Sequence, residues 1–351
     1  MVDSVKVSFE DTLSKCVVNM GKCVACDACV VVCPFHCLEY IDEKPFLVKT
    51  CRACGICAKV CPQYKLSMFE IENFVFGRER RANEVFGIYR RLAIAKAVDN
   101  KILEVCQDGG AVTALLLFGL KKRIIDGAIV TKTKEGKPLY PHSRLAKTYE
   151  EILQSAGTKY FFSHNILTLA DMIKQKKTNV AFVGTPCQIC AIRKMQIMGL
   201  KKYVAPLKLL IGLACSECFE YEGLMEKLIH GKLGVDLNRV KRISVKDKMT
   251  VTLDSETLSI PLAEAKQHAR KACSFCGDFS SELADISVCG LGLKGWSFVI
   301  LRTEKGENFF SRAEKAGAIS SKNIDVELNA LNLLNKLSKK KRQIAGKGQN
   351  E

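Results

Sequence analysis

The stretch CVACDACVVVCP at residues 23–34 decides how the first part of this chain folds, and it recurs as CRACGICAKVCP at residues 51–62. Each copy has three cysteines spaced three residues apart, a fourth cysteine four residues later, and then a proline. Three thiolates on one tight loop can bind three irons of a cubane cluster, so the fourth ligand must come from a distant segment. This doubled run therefore predicts two [4Fe-4S] clusters.

In such runs the fourth cysteine of each copy ligates the cluster of the other copy. One cluster is thus expected on Cys23, Cys26, Cys29 and Cys61, and the other on Cys51, Cys54, Cys57 and Cys33. Zinc is the alternative, but zinc sites usually combine two cysteine pairs separated by a longer spacer. We predict a ferredoxin-like α+β module in residues 1–70, with residues 1–20 as a lead-in that caps the module as a strand.

The composition leaves room for a second, larger unit and restricts its function. Of the 351 residues, 48% are hydrophobic, which argues against disorder, and the formal net charge is +17. Such a charge suits an anionic ligand, an acidic partner or a membrane surface. The basic residues form no aromatic-interleaved motif, so nucleic-acid binding is not expected. The start lacks a signal-peptide pattern, and 18 cysteines then indicate metal in a reducing cytoplasm.

Beyond a connector at residues 71–90, strands and helices alternate, which predicts an α/β domain at residues 91–320. Strands are expected at residues 92–98, 124–131, 179–183, 206–213 and 296–302. Helices are expected at residues 109–120, 171–177, 220–233 and 326–337, and another begins at Thr185-Pro186. Three short antiparallel strands are expected at residues 239–245, 250–253 and 258–260. Residues 321–351 form a C-terminal helix and basic tail, whose KKKR at residues 339–342 predicts a frayed, solvated end.

Six further cysteines form three close pairs: Cys187 with Cys190, Cys215 with Cys218, and Cys273 with Cys276. Such pairs in an intracellular domain indicate another metal site, but spacing alone does not decide which four ligate or whether the metal is zinc. The remaining cysteines are expected to pack as small apolar residues; they are Cys16, Cys37, Cys106 and Cys289.

Several motifs in residues 85–320 resemble the β subunit family of coenzyme F420-reducing hydrogenase and F420-linked formate dehydrogenase. They are DGGAVTALL at residues 108–116, AGTKY at 156–160, GTPCQ at 184–188, IGLAC at 211–215, CSFCGDF at 273–279, ADIS at 284–287, GWS at 295–297 and RTEKG at 302–306. The two-cluster module in front, and the overall length, most resemble the electron-input subunits of archaeal F420H₂ dehydrogenases.

The resemblance implies FAD and one further [4Fe-4S] cluster in an α/β flavoprotein domain. By motif, the ligands of this third cluster are Cys187, Cys215, Cys273 and Cys276, with Cys218 as an alternative to Cys215. Two glycine-containing turns precede helices and can approach a diphosphate at a positive helix end. The expected flavin and coenzyme contacts are Gly109, Gly110, Thr113, Lys159, Tyr160, Gly184, Thr185 and Pro186. No general acid or base is assigned, because hydride transfer between aligned rings depends on alignment.

The implied reaction is oxidation of reduced coenzyme F420 by hydride transfer to FAD, followed by one-electron transfer through three [4Fe-4S] clusters. A flavin is needed because the deazaflavin gives two electrons together, whereas clusters accept them singly. The expected acceptor is a membrane respiratory complex or soluble ferredoxin, which places the protein in the cytoplasm, on the membrane face through partner subunits. The alternatives are a β subunit of another F420-linked enzyme (hydrogenase, formate dehydrogenase, glutamate synthase or sulfite reductase) and a non-enzymatic iron-sulfur relay.

Overall fold

The structure is a computed structural model, and it describes residues 7–324 and 327–350. In the N-terminal module, each cysteine run turns through a left-handed residue into a short helix. Asp27 (φ 64°) precedes helix α1 (Ala28–Val31), and Gly55 (φ 70°) precedes helix α2 (Ile56–Val60). The antiparallel hairpin of β1 (Leu38–Ile41) and β2 (Lys44–Leu47) lies between the two runs. The repeat in the sequence is therefore a repeat of structure.

The lead-in to this module is helical rather than a strand, so that prediction is wrong for the described residues; residues 1–6 lie outside them. A π-helical segment spans Glu10–Val18. Its buried Leu13 and Val17 are four residues apart and share a core with the thiols of the module. The helix forms because this spacing places both side chains on the face that covers the cysteines.

A mixed eight-stranded sheet forms the centre of the remaining chain. Its strands are β3 (Arg91–Ala97), β4 (Gly127–Thr133), β5 (Pro141–Ala146), β6 (Val180–Gly184), β7 (Leu207–Leu213), β11 (Ile286–Cys289), β12 (Ser297–Leu301) and β13 (Ile319–Asn323). They lie in the order β13-β3-β12-β11-β7-β6-β4-β5. The inner strands β11, β7, β6 and β4 are parallel, and the outer ones are antiparallel. The predicted α/β class is confirmed.

Helices cover both faces of this sheet. They are α3 (Met68–Phe76), α4 (Asn100–Val105), α5 (Ala111–Lys121), α6 (Tyr149–Leu153), α7 (Leu169–Lys174), α8 (Pro186–Ile197), α9 (Lys201–Val204), α11 (Glu304–Lys315) and α12 (Leu328–Asn350). Helix α10 (Leu262–Ala265) packs instead on the smaller antiparallel sheet described below. Helices α5 and α11 pack on one face. On the other face, α8 shares one hydrophobic core with residues of the N-terminal module, including Val24, Ala28 and Val60. The module is thus built into the α/β domain.

A smaller lobe contains the antiparallel sheet of β8 (Arg242–Val245), β9 (Lys248–Thr252) and β10 (Thr257–Pro261). A π-helical segment, Glu222–Lys232, packs on it, and short 3-10 turns occupy Leu237–Arg239, Lys266–His268 and Lys271–Phe275. The sequence pattern predicts these three strands and this helix. It does not predict strands β5, β11 and β13 or helix α11.

The C-terminal end differs most from its prediction. Helix α12 runs to Asn350, well past the predicted end at residue 337, and its predicted start at Val326 lies outside the described residues. Leu334, Ser338 and Lys341 are buried, so the expectation of a frayed, solvated tail is wrong for the described residues. No helix in residues 7–324 or 327–350 combines the length and hydrophobicity needed to cross a membrane.

Candidate functional site

The first group of thiols surrounds a cavity in the N-terminal module. Cys23, Cys26, Cys29 and Cys61 all line it. Burial raises the pKa of Cys61 to about 11, with Cys23 as a further cause, and it raises the pKa of Cys26 and Cys29 well above the ordinary value. Cys61 thus lies among the thiols of the other run, as the exchanged fourth ligand requires. Thiolates packed this closely need a cationic centre between them.

The second group comprises Cys33, Cys51, Cys54 and Cys57. The Cys51 sulfur accepts the backbone N–H groups of Phe9 and Ala53, each at 3.4 Å, and the Cys33 sulfur accepts that of Cys37 at 3.3 Å. Burial raises the pKa of Cys57 to about 12, and the other three thiols raise it further. The grouping fits the second cluster, and Cys54 is exposed, so this group is nearer to solvent than the first.

A third group lies in the α/β domain around a second cavity. Five thiols line it, and they come from three separate parts of the chain: Cys187, Cys215, Cys218, Cys273 and Cys276. Val24 of the N-terminal module and Phe162, Arg270, Asp278 and Lys341 complete its wall, together with Thr185 and Pro186. The structure thus brings together all four predicted ligands of the third cluster and the alternative ligand Cys218.

The thiols of this third group differ in their electrostatic surroundings. The Cys218 thiol donates to Cys273 and lowers the pKa of Cys273, and the Cys218 N–H, 3.3 Å from the Cys273 sulfur, acts in the same direction. Lys341 and Arg270 lower that pKa further. Burial raises the pKa of Cys187 to about 12 and raises that of Cys276 well above the ordinary value. A low-pKa thiolate is the form that binds metal.

Helix α8 connects the third thiol group to the first. It carries Cys187 at its start, Cys190 one turn later and Lys194 one turn further. The Lys194 ammonium donates to the Cys61 carbonyl at 2.6 Å and to the Tyr64 carbonyl at 2.8 Å. Cys187 is also among the groups that raise the pKa of Cys26. The two cluster sites are therefore neighbours across the join between module and domain.

In the described part of the chain, no group of three or more histidine, cysteine, aspartate or glutamate side chains is arranged to hold a metal ion. The first and third thiol groups instead surround cavities. Several thiols converge in each of these cavities, and backbone N–H groups are directed at sulfurs of the second and third groups, which fits iron-sulfur clusters. The ligand assignment itself stays a prediction.

The first predicted flavin turn has a structural reason for each glycine. A Cβ on Gly109 would lie 2.5 Å from the Ala95 carbonyl oxygen and 2.5 Å from the Ser297 nitrogen, so only glycine allows this approach to β3 and β12. Gly110 has φ 70° and begins α5, whose first turn has no side-chain cap. Arg242 and Lys246 lie close enough to lower the pKa of Asp108, although burial raises it overall. An uncapped helix end beside two cations suits a diphosphate.

The second predicted turn belongs to the third cavity. Thr185 and Pro186 line it, and the Thr185 hydroxyl lies 3.2 Å from the Cys187 sulfur. The Gln188 side chain accepts the Thr185 N–H at 3.1 Å and so occupies the start of α8. Gly184 lies at the end of β6. This turn thus shapes the wall around the thiols, and its contact with a flavin stays a prediction.

The other predicted contacts are separated. The Lys159 ammonium donates to the carbonyls of Ser155 (2.9 Å) and Ala156 (2.7 Å), just beyond α6, and burial lowers the pKa of Lys159 to about 8. The Tyr160 hydroxyl accepts the Val245 N–H at 3.3 Å, beneath the small lobe. Thr113 is buried in α5. In this arrangement the Lys159 ammonium is hydrogen-bonded to backbone carbonyls, and its contact with a cofactor stays a prediction.

Several residues at these sites carried no sequence signal. His164 Nδ1 lies 3.0 Å from the buried Asp27 carboxylate, beside Cys26. Cys16 is exposed, so its predicted apolar packing is wrong. The predicted burial of Cys37, Cys106 and Cys289 is confirmed.

The ADIS motif at residues 284–287 has a structural function. Asp285 accepts hydrogen bonds from Arg193 Nη2 at 3.0 Å, the Leu210 N–H at 2.8 Å and the Thr303 hydroxyl at 3.0 Å. The Lys305 ammonium lies 2.8 Å from Oδ2 of Asp285. Burial opposes ionisation, but Arg193 and Lys305 hold the pKa of Asp285 below its ordinary value. Asp285 thus joins β7, α8 and α11 behind the third cavity.

Comparison with known proteins gives a consistent result. Residues 177–327 match the family of the C-terminal part of the coenzyme F420 hydrogenase/dehydrogenase beta subunit, and residues 92–170 match the family of its N-terminal part. The chain is 36% identical over 269 residues to the coenzyme F420 hydrogenase subunit beta of Methanothermobacter thermautotrophicus, covering 75% of this chain and 95% of that protein. It is 28% identical over 304 residues to the F subunit of the F420H₂ dehydrogenase of Methanosarcina mazei, covering 84% and 83%.

A solved structure agrees with these matches. A chain in the F420-reducing [NiFe] hydrogenase complex of Methanosarcina barkeri superposes with a TM-score of 0.73 at 31% identity, covering 76% of this chain and 94% of that chain.

Proposed function

Because the chain belongs to the coenzyme F420 hydrogenase/dehydrogenase β subunit family, we propose that it oxidises reduced coenzyme F420 and passes the electrons singly through three [4Fe-4S] clusters. The proposed cofactors are one FAD and those three clusters. Bound FAD supplies the conversion between a hydride and single electrons. The proposed partner is a membrane-bound dehydrogenase complex or soluble ferredoxin, which places the chain on the cytoplasmic face of the membrane through partner subunits.

The observation that carries this proposal is the contiguity of the thiol groups. The cavity of the third group in the α/β domain includes Val24 of the N-terminal module in its wall. The Lys194 ammonium of α8 donates a hydrogen bond to the carbonyl of Cys61, which is a predicted ligand in the first group. A chain that ended its electron path in the α/β domain would not need this contact. The arrangement supports a continuous path from the domain into the module and toward the exposed Cys54.

The residues of the chain contribute orientation and exclusion of water. Asp285 fixes α8, and with it Cys187, against the sheet. The uncapped start of α5, with Arg242 and Lys246 nearby, offers N–H groups and positive charge to the anionic parts of a dinucleotide or of the coenzyme. The net charge of +17 favours encounter with such anions.

The first test is the cofactor content and activity of anaerobically purified protein. We expect about twelve irons and one FAD per chain if each of the three cubanes is built. Reduced coenzyme F420 should then reduce a viologen dye. If the protein contains all its iron but no flavin, and does not react with the coenzyme, the proposal is wrong and the chain is an electron relay without this activity.

The matched variants are Cys276→Ser and Cys16→Ser. Cys276→Ser should lose about four irons and the dye reaction, while reduced coenzyme still bleaches the flavin. Cys16→Ser, at an exposed thiol outside the three groups, should keep both. Full iron content in Cys276→Ser would contradict the ligand assignment.

A further inference from the structure

Helix α12 begins one residue beyond the match to the C-terminal family model, which ends at residue 327. One face of α12 is buried. Four small or apolar residues on it have relative exposures between 0% and 6%: Ala330, Leu334, Ser338 and Ala345. Lys341 lies on the same face and has a relative exposure of 7%. A lysine on a buried helix face is costly unless its charge is satisfied.

The Lys341 ammonium is satisfied by the third thiol group. It donates to the Cys273 carbonyl at 2.9 Å and to the Ser216 carbonyl. Ser216 lies between Cys215 and Cys218 in the sequence. One ammonium thus connects two separate segments that together carry four of the five thiols around the cavity.

The charge of Lys341 lies at the third cavity, which Lys341 lines together with the five thiols. Arg270 lines the same cavity, and the carboxylate of Glu217 lies 2.9 Å from Lys266. A fixed positive charge next to a cluster favours the reduced form, which carries one more negative charge.

We propose that Lys341 is a positioning residue of the third cluster: its buried ammonium holds the Cys215 and Cys273 segments together and makes that cluster easier to reduce. The inference rests on the proposed function for the presence of the cluster. The neighbouring Arg342 pairs with Glu282, and a Cβ on Gly277 would lie 3.6 Å from Arg342, so α12 also covers the Cys276 segment.

The experiment compares wild-type protein with Lys341→Met and Lys340→Met. Lys340 is on the same helix but exposed, so it receives the same substitution without the buried contact. The readouts are iron per chain and the midpoint potential of each cluster, measured by a redox titration followed by EPR. Neither readout depends on turnover.

We expect Lys341→Met to lower the equilibrium constant for reduction of the third cluster at least tenfold, a downward shift of about 59 mV for one electron. The other two clusters and the Lys340→Met variant should stay at wild-type values. An unchanged potential in Lys341→Met with full iron overturns the inference.

Lys341→Arg covers the case in which Lys341→Met fails to assemble the site. Loss of about four irons in Lys341→Met that Lys341→Arg restores supports a positioning role for the charge. Equal loss in both variants overturns it, because packing alone would then explain the loss. Wild-type protein with only about eight irons would count against the proposed function itself, which is a separate outcome.

Discussion

The N-terminal module and the third thiol site both bring cysteines together, but with opposite constructions. In the module, the eight predicted cluster cysteines fall within residues 23–61, and each set of three is on one tight loop. In the α/β domain, five thiols come from the start of α8, the segment after β7 and the segment before β11. The first construction is specified locally, and the second is specified by tertiary packing.

This difference teaches where each site is vulnerable. A local loop keeps its thiols together as long as the loop folds. The dispersed site needs residues outside the thiol group to hold its segments together, such as Asp285 behind α8 and Lys341 on α12. Variants of such residues should damage the third site and spare the module.

The largest effect is expected from Asp285→Ala. This change leaves the Arg193 guanidinium, which is buried, without its carboxylate partner. Breaking a buried ion pair by removing one partner costs about 3–5 kcal/mol. We expect a loss of stability of this size in urea unfolding, with loss of the third cluster and retention of about eight irons in the module.

The control for this variant is Asp254→Ala. Asp254 also faces cations, with Lys241 at 3.0 Å, but it is exposed, so the change should cost at most about 1 kcal/mol. If Asp285→Ala lost iron from all three sites in equal proportion, the module would depend on the packing around Asp285 and the comparison would fail.

What sequence could predict follows the same division. The run at residues 23–34 predicted the module because its ligands, its turns and its helices lie within one local pattern. The strands β3, β6 and β7 were predicted for a similar reason, since each is a short, largely apolar run, which is typical of a strand buried on both faces.

The features that escaped prediction depend on distant partners. The burial of Lys341 depends on carbonyls more than 60 residues away in the chain. The KKKR run by itself therefore indicated side chains exposed to solvent. The helix of the lead-in escaped prediction because the face that covers the cysteines is defined only once the module has folded. Helix α11 had a readable signal, with Gly306, Phe309, Phe310 and Ala313 on one buried face at helical spacing.

A moderate effect is expected from Lys194→Met, at the join between the two constructions. The variant removes the ammonium from the buried Cys61 carbonyl and the partly buried Tyr64 carbonyl, and a hydrogen bond to a charged group is worth about 1.5–3 kcal/mol. We expect a stability loss in that range and faster proteolysis in residues 77–90, because the module is held less firmly. Lys201→Met, at an exposed lysine on the neighbouring helix α9, should change neither. Equal proteolysis rates for Lys194→Met and wild type would show that the shared apolar core alone holds the module.

The smallest effect is expected from Cys218→Ala, and it decides which of the five thiols is surplus. The N–H of Cys215 donates to the Phe279 carbonyl at 2.8 Å, which fixes Cys215 at the end of β7, and Lys341 acts on Cys215, Cys273 and Cys276. The Cys218 thiol instead donates to Cys215 and Cys273, which raises its own pKa well above the ordinary value. The resemblance that assigns Cys215 as a ligand leaves Cys218 as the surplus thiol, held beside Cys273 by its N–H, 3.3 Å from the Cys273 sulfur.

Cys218→Ala should therefore keep about twelve irons, whereas Cys215→Ala should keep about eight. Iron analysis with the EPR signal of the third cluster distinguishes the two variants. The reverse result would make Cys218 the ligand. The dispersed site would then rearrange when it binds a cluster, while the local loops of the module would not.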